Sequence, residues 1–134
     1  MMLPQLAAVG ASILIAGISA YQLALALGLA LGEATLGGRA PTTDGVLSGS
    51  FRAVAAASAA VLIGIAWLVL ARSGVTGSGR LPTGFVNGLT WAIFGFLVLN
   101  TFANFAAPHL VERWVIGSIT LIIAGLVGIV VTQS

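Results

Sequence analysis

Residues 53–71 read AVAAASAAVLIGIAWLVLA, an uncharged run of 19 residues bracketed by Arg52 and Arg72. As a helix rising ~1.5 Å per residue, such a run is about as long as the ~30 Å hydrocarbon core of a bilayer. Lipid offers backbone N–H and C=O groups no partners, so a spanning segment must satisfy them internally, which selects a helix. Three further uncharged segments match it, at about residues 3–31, 84–107 and 114–132. Within the first, Leu23 to Gly32 alternates Leu with Ala or Gly at a strand-like period. Leu and Ala are poor strand formers and the run is too long for one strand, so this stretch also reads as helix.

Composition leaves little else. Of the 134 residues, 59% are hydrophobic and 6% charged, against about 45–50% and about 25% in soluble domains. Mean hydropathy is +1.15. The expectation is one all-α integral membrane domain over residues 1–134, a four-transmembrane-helix bundle with both termini on one side. Residues 1–19 hold no Lys or Arg. The apolar stretch also exceeds the ~7–15 residues of a signal core, so it reads as a retained first helix.

The same counts exclude several chemistries. There is no cysteine, hence no disulfide, thiol redox chemistry or cysteine metal site. One histidine (His109), three carboxylates (Glu33, Asp44, Glu112) and two terminal methionines are too few for a structural zinc or a haem. No metal or other cofactor is expected. All five cations are arginine and the net charge is +2, with no basic cluster that would address nucleic acid.

The first connection, residues 32–52, is rich in turn formers, with Asp44-Gly45 the clearest turn signal. The second, residues 72–82, reads as a flexible glycine-rich link. The third, residues 105–112, is short and makes a tight hairpin of helices three and four. Arg72 and Arg80 stand in the middle connection without an acid, while Arg39, Arg52 and Arg113 in the other two accompany acids. That asymmetry points to cytoplasmic termini, although the cation count is two against three.

Membrane helices associate through small residues. The first helix carries them every fourth position, at Ser12, Ala16, Ala20, Ala24 and Gly28, with Ala8 ahead and Gly32 behind. This ladder is expected to pack the bundle, with surface left for a second copy or another membrane protein.

Three groups of polar residues are candidates for chemistry. The first is a charge cluster at one membrane face: Glu33, Arg52, Glu112 and Arg113. Glu33 would sit at a helix C-terminus and Arg52 and Arg113 at helix N-termini, each at the end its charge dislikes. Pairing of Glu33 with either arginine would remove the conflict, as would a solvated boundary position. The second group is Asn87, Asn100 and Asn104 on helix three, and the third is Tyr21 with Gln22 on helix one. Amides within a membrane need partners, so these residues either bond a neighbouring helix or line a cavity. His109 reads as a solvated loop residue, and no nucleophile, phosphate-loop or zinc-protease pattern accompanies it.

The run Gly32-Glu33-Ala34-Thr35-Leu36-Gly37-Gly38-Arg39, an arginine opening the next helix, Asn100-Thr101-Phe102-Ala103-Asn104 and Glu112-Arg113 together resemble an uncharacterised family of small bacterial four-helix membrane proteins common in actinobacteria. The chain departs from that pattern with Ser48-Gly49-Ser50 where the family has Leu-Pro before Phe51-Arg52. The resemblance implies a multi-pass protein of the bacterial cytoplasmic membrane and carries no activity with it. The expected role is a non-enzymatic accessory, structural or helix–helix interaction protein. The alternative is a homo-oligomeric transporter or channel for small molecules or ions. Such transporters usually hold an acid within a span, and none of these four spans contains one. A lipid-active enzyme would need Glu33, His109 and Glu112 in one pocket.

Overall fold

The computed structural model describes residues 2–28, 42–43, 46–47, 49–77, 81–107 and 110–133, with backbone alone at 42, 43, 46, 47, 111 and 112. Four α-helices follow in order: α1 (Leu3–Ala26), α2 (Gly49–Ser73), α3 (Thr83–Phe105) and α4 (Gly117–Gln133). A six-residue π-helical turn, Val111–Ile116, leads into α4. All four are long and apolar enough to cross a membrane, the fourth span running Arg113–Gln133. The fold is an all-α four-helix bundle and the protein a multi-pass membrane protein. Its even number of antiparallel crossings puts both termini on one side.

Helix ends differ from the sequence reading where a local device sets them. The first helix was expected to reach residue 31. Instead Leu27 caps α1, with its N–H on Leu23 O, and Gly28 follows at φ +94°. That left-handed conformation costs glycine nothing and most residues about 1–3 kcal/mol. Gly74 ends α2 in the same way at φ +88°, with Val75 N–H returning to Leu70 O at 3.1 Å. At the other end of α1, Gln5 Oε1 reaches back to accept from Met2 N at 3.0 Å. In the first connection β1 (Thr42–Thr43) pairs antiparallel with β2 (Val46–Leu47), Thr42 opposite Leu47. The Asp44-Gly45 turn between them lies outside the described residues.

The helices form a ring in which α1 packs on α2 and α4, and α3 packs on α4. The remaining seam, between α2 and α3, is the loosest of the four. The core occupies one half of the bundle, the half nearer the termini. Ala7, Ala11 and Ile15 of α1, Val69 of α2, Ile93 of α3 and Val127 of α4 meet there. Toward the other face α1 closes on α2, with Leu25 on Ala55, and α3 on α4, with Phe105 against Gly117.

The small-residue ladder of α1 is not the ridge that packs. Ala8 is buried and Ser12 half-buried, but Ala16 and Ala20 are exposed and Ala24 is half-buried. Gly28 lies past the helix end. The packed ridge is the neighbouring row Ala7, Ala11, Ile15, Ser19, also at a spacing of four. In lipid every face of a helix is apolar, so hydropathy contrast does not mark the inward one. Glycine is used instead for close approach of α3 to α4. A Cβ at Gly128 would lie 3.0 Å from the Phe94 ring, and one at Gly117 3.1 Å from the Phe105 ring.

Candidate functional site: a half-open cavity between α2 and α3

The three described arginines share one job. Arg52 opens α2 and donates from Nε to Ala26 O, the last residue of α1, at 3.0 Å. Arg113 lies in the turn before α4 and donates from Nε to Ala107 O, just past α3, at 3.0 Å. Arg72, in the last turn of α2, donates from Nη2 to Val131 O near the end of α4 at 3.0 Å. The last carbonyls of a helix have no partners within it and carry its negative dipole end. Each guanidinium therefore caps a neighbouring helix. This removes the conflict read from the sequence: Arg52 and Arg113 stand at the N-termini of their own spans, but beside the C-termini of the preceding ones. The Nε acceptors described are backbone carbonyls; the carboxylates expected as partners lie outside the described residues. Glu33, His109 and the Glu112 side chain lie outside the described residues.

Arg72 does more than cap. Its Nη1 donates to Thr90 Oγ1 on α3 at 3.1 Å, and the Thr90 hydroxyl in turn donates to Val86 O at 2.9 Å. Thr90 is fully buried. One side chain on α2 so ties α3 and α4 together at the end of the bundle that carries the termini. The sequence reading used Arg72 only as an orientation signal. Its one available clue was a lone cation at a helix C-terminus with no acid nearby.

Away from that tie, α2 and α3 leave a cavity of about 810 Å³. Its walls come from residues 54–65 of α2 and from residues 96–107, at and just past the end of α3, closed behind by residues 15–22 of α1 and 116–123 where the π-helical turn runs into α4. Ile15, Ile65, Leu97 and Ile123 form its floor, and they belong to the packed core as well. Val54, Val61 and Phe96 line it while remaining 49%, 61% and 56% exposed, so it opens sideways through the α2–α3 seam.

Four of the five polar residues singled out on α1 and α3 line this cavity: Tyr21, Gln22, Asn100 and Asn104. Asn87 does not, lying half-buried in the first turns of α3 at the opposite end. Asn104 is nine-tenths buried and donates from Nδ2 to Thr120 Oγ1 on α4 at 3.2 Å, with Thr120 bonded on to Gly117 O at 3.0 Å. It is a helix–helix tie. Gln22 and Asn100 differ: among the described residues neither amide has a hydrogen-bond partner. Ser58 on α2 and Thr120 complete the polar part of the wall. Ser19, one turn before Gln22, is spent on Ala59 O of α2 at 3.1 Å. Among the described residues no group of His, Asp or Glu is placed to hold a metal ion.

Comparison of the chain with known protein families, curated proteins and solved structures finds no match.

Proposed function

We propose that this chain is a non-enzymatic accessory protein of the bacterial cytoplasmic membrane whose working part is the α2–α3 cavity, where it holds a guest. The observation that carries this reading is the pair of amides, Gln22 and Asn100, without a partner among the described residues, in a cavity that four helices build. An amide in a membrane-spanning helix costs several kcal/mol while unbonded, so a guest that bonds it gains by binding there. The volume, about 810 Å³, falls in the ~300–1,000 Å³ range of small-molecule sites. The described walls bring no nucleophile with a base beside it, and so offer reaction chemistry no support.

A second reading has its own support. Ala16, Gly17 and Ala20 leave a small-residue patch of α1 exposed. A second copy or another membrane protein would pack closely there. A homo-oligomer built on that patch is the form the transporter alternative would take.

Native mass spectrometry of the protein released gently from its own membrane tests both readings. A discrete small-molecule adduct, lost in Gln22→Leu/Asn100→Leu, is the expected result. A stoichiometric complex with a different protein and no adduct would overturn the guest-holding reading.

A further inference from the structure

The cavity is graded along the membrane normal. Its polar groups lie toward the face away from the termini. Gln22 is four residues inside the end of α1 and Asn100 five inside the end of α3, about 6–8 Å along the helix axis. Its apolar floor, Ile15, Ile65, Leu97 and Ile123, lies near the middle of the spans. The sense and depth of this gradient are those of a lipid in one leaflet, with its head region near the surface and its chain end at the midplane.

We propose that the cavity takes a neutral, single-chain lipid from the leaflet opposite the termini, its hydroxyl and ester groups on Gln22 and Asn100 and its chain on the Ile15–Ile65–Ile123 floor. This rests on the reading of the cavity as a binding site. Each feature of the ligand follows from a feature of the wall. Glutamine and asparagine each present a donor and an acceptor, matching a glycerol ester that also carries free hydroxyls. The described lining residues include no charged side chain, and a charge held below the surface without a counter-ion is costly, so the head we assign is neutral. The volume, about 810 Å³, is of the size that a glycerol head with one chain fills. The seam between α2 and α3 is loose where the cavity lies and tied by Arg72 and Thr90 at the other end. Entry is therefore lateral, from lipid, and stops at the floor.

The test uses the intact protein in phosphatidylcholine nanodiscs and a monoacylglycerol with a diazirine at the chain terminus. After photolysis, labelling is expected on floor residues such as Ile65 and Ile123. Unlabelled monoacylglycerol should compete, and lysophosphatidate of the same chain should not. Gln22→Leu and Asn100→Leu, each checked for unchanged helix content, should weaken labelling about three- to fivefold apiece, the effect of one lost hydrogen bond. Equal competition by lysophosphatidate, or undiminished labelling in both variants, would overturn the neutral-lipid assignment and leave the binding site standing. An adduct in native mass spectra with no cavity labelling would do the same. Absence of both adduct and labelling would remove the binding-site reading as well.

Discussion

The Arg52 guanidinium lies over Gly28: Nε donates to Ala26 O at 3.0 Å, and a Cβ placed on Gly28 would come within 3.2 Å of Nη2. The glycine therefore serves two needs at once. It takes the left-handed conformation that ends α1, and it leaves the space through which an arginine from α2 reaches the freed carbonyls. Capping and helix pairing are coupled at this one position.

Gly28→Ala is expected to lower stability by about 1–3 kcal/mol through backbone strain, with a further cost from crowding Arg52. In an Arg52→Ala background the crowding part disappears and the strain part stays. A double-mutant cycle on thermal unfolding in detergent should therefore show coupling between the two positions. Strict additivity would contradict the arrangement.

Charge reversal at Arg113 separates two possible acceptors. Arg113→Glu should destabilise the protein, because Ala107 O loses its donor and α3 its cap. Adding Glu33→Arg would restore part of the loss if a carboxylate were the partner. A backbone carbonyl gains nothing from that change, so the expected double mutant is no more stable than the single one, as read by unfolding midpoint.

Arg72→Met keeps much of the aliphatic stem and removes the bonds to Thr90 and Val131. Hydrogen bonds from charged donors are worth about 1.5–3 kcal/mol each, so the expected loss for the two is about 3–6 kcal/mol. Thr90→Val should cost less, since the contact to Val131 survives. Disulfide trapping between cysteines introduced on α2 and α3 at the tied end should slow in Arg72→Met and stay unchanged in Thr90→Ser.

Two glycines make a paired comparison. A Cβ at Gly128 meets the Phe94 ring at 3.0 Å, whereas one at Gly64 meets nothing within 4 Å. Phe94 is also held edge-on to Trp91, ring centres 6.0 Å apart, which limits its retreat. Gly128→Ala should destabilise by about 1–3 kcal/mol through overpacking. Gly64→Ala should be neutral or stabilising by up to about 1 kcal/mol, from helix propensity alone. Unfolding midpoints of the two variants in the same detergent decide it.

Much of the architecture was legible in the chain because lipid imposes strong rules on it. An uncharged run the length of residues 53–71 has one stable form in a bilayer, and four such runs make four helices with both termini on one side. The residues on either side of Asp44-Gly45, Thr42–Thr43 and Val46–Leu47, pair antiparallel, and the turn itself lies outside the described residues. Which face of each helix turns inward was not legible, because hydropathy is nearly uniform around these spans. The row through Ala7, Ala11 and Ile15 packs, and the row through Ala16 and Ala20 does not. The polar residues were legible as groups needing partners, and their fates were not. Asn104 and Asn100, one turn apart, end as a helix tie to Thr120 and as a cavity wall with no partner among the described residues. Composition and period determined that this is a four-span helical membrane protein. Tertiary structure decided that three arginines cap other helices and that a cavity opens along the α2–α3 seam beyond the packed core. Those outcomes depend on distances between segments far apart in sequence, and no local pattern encodes such distances.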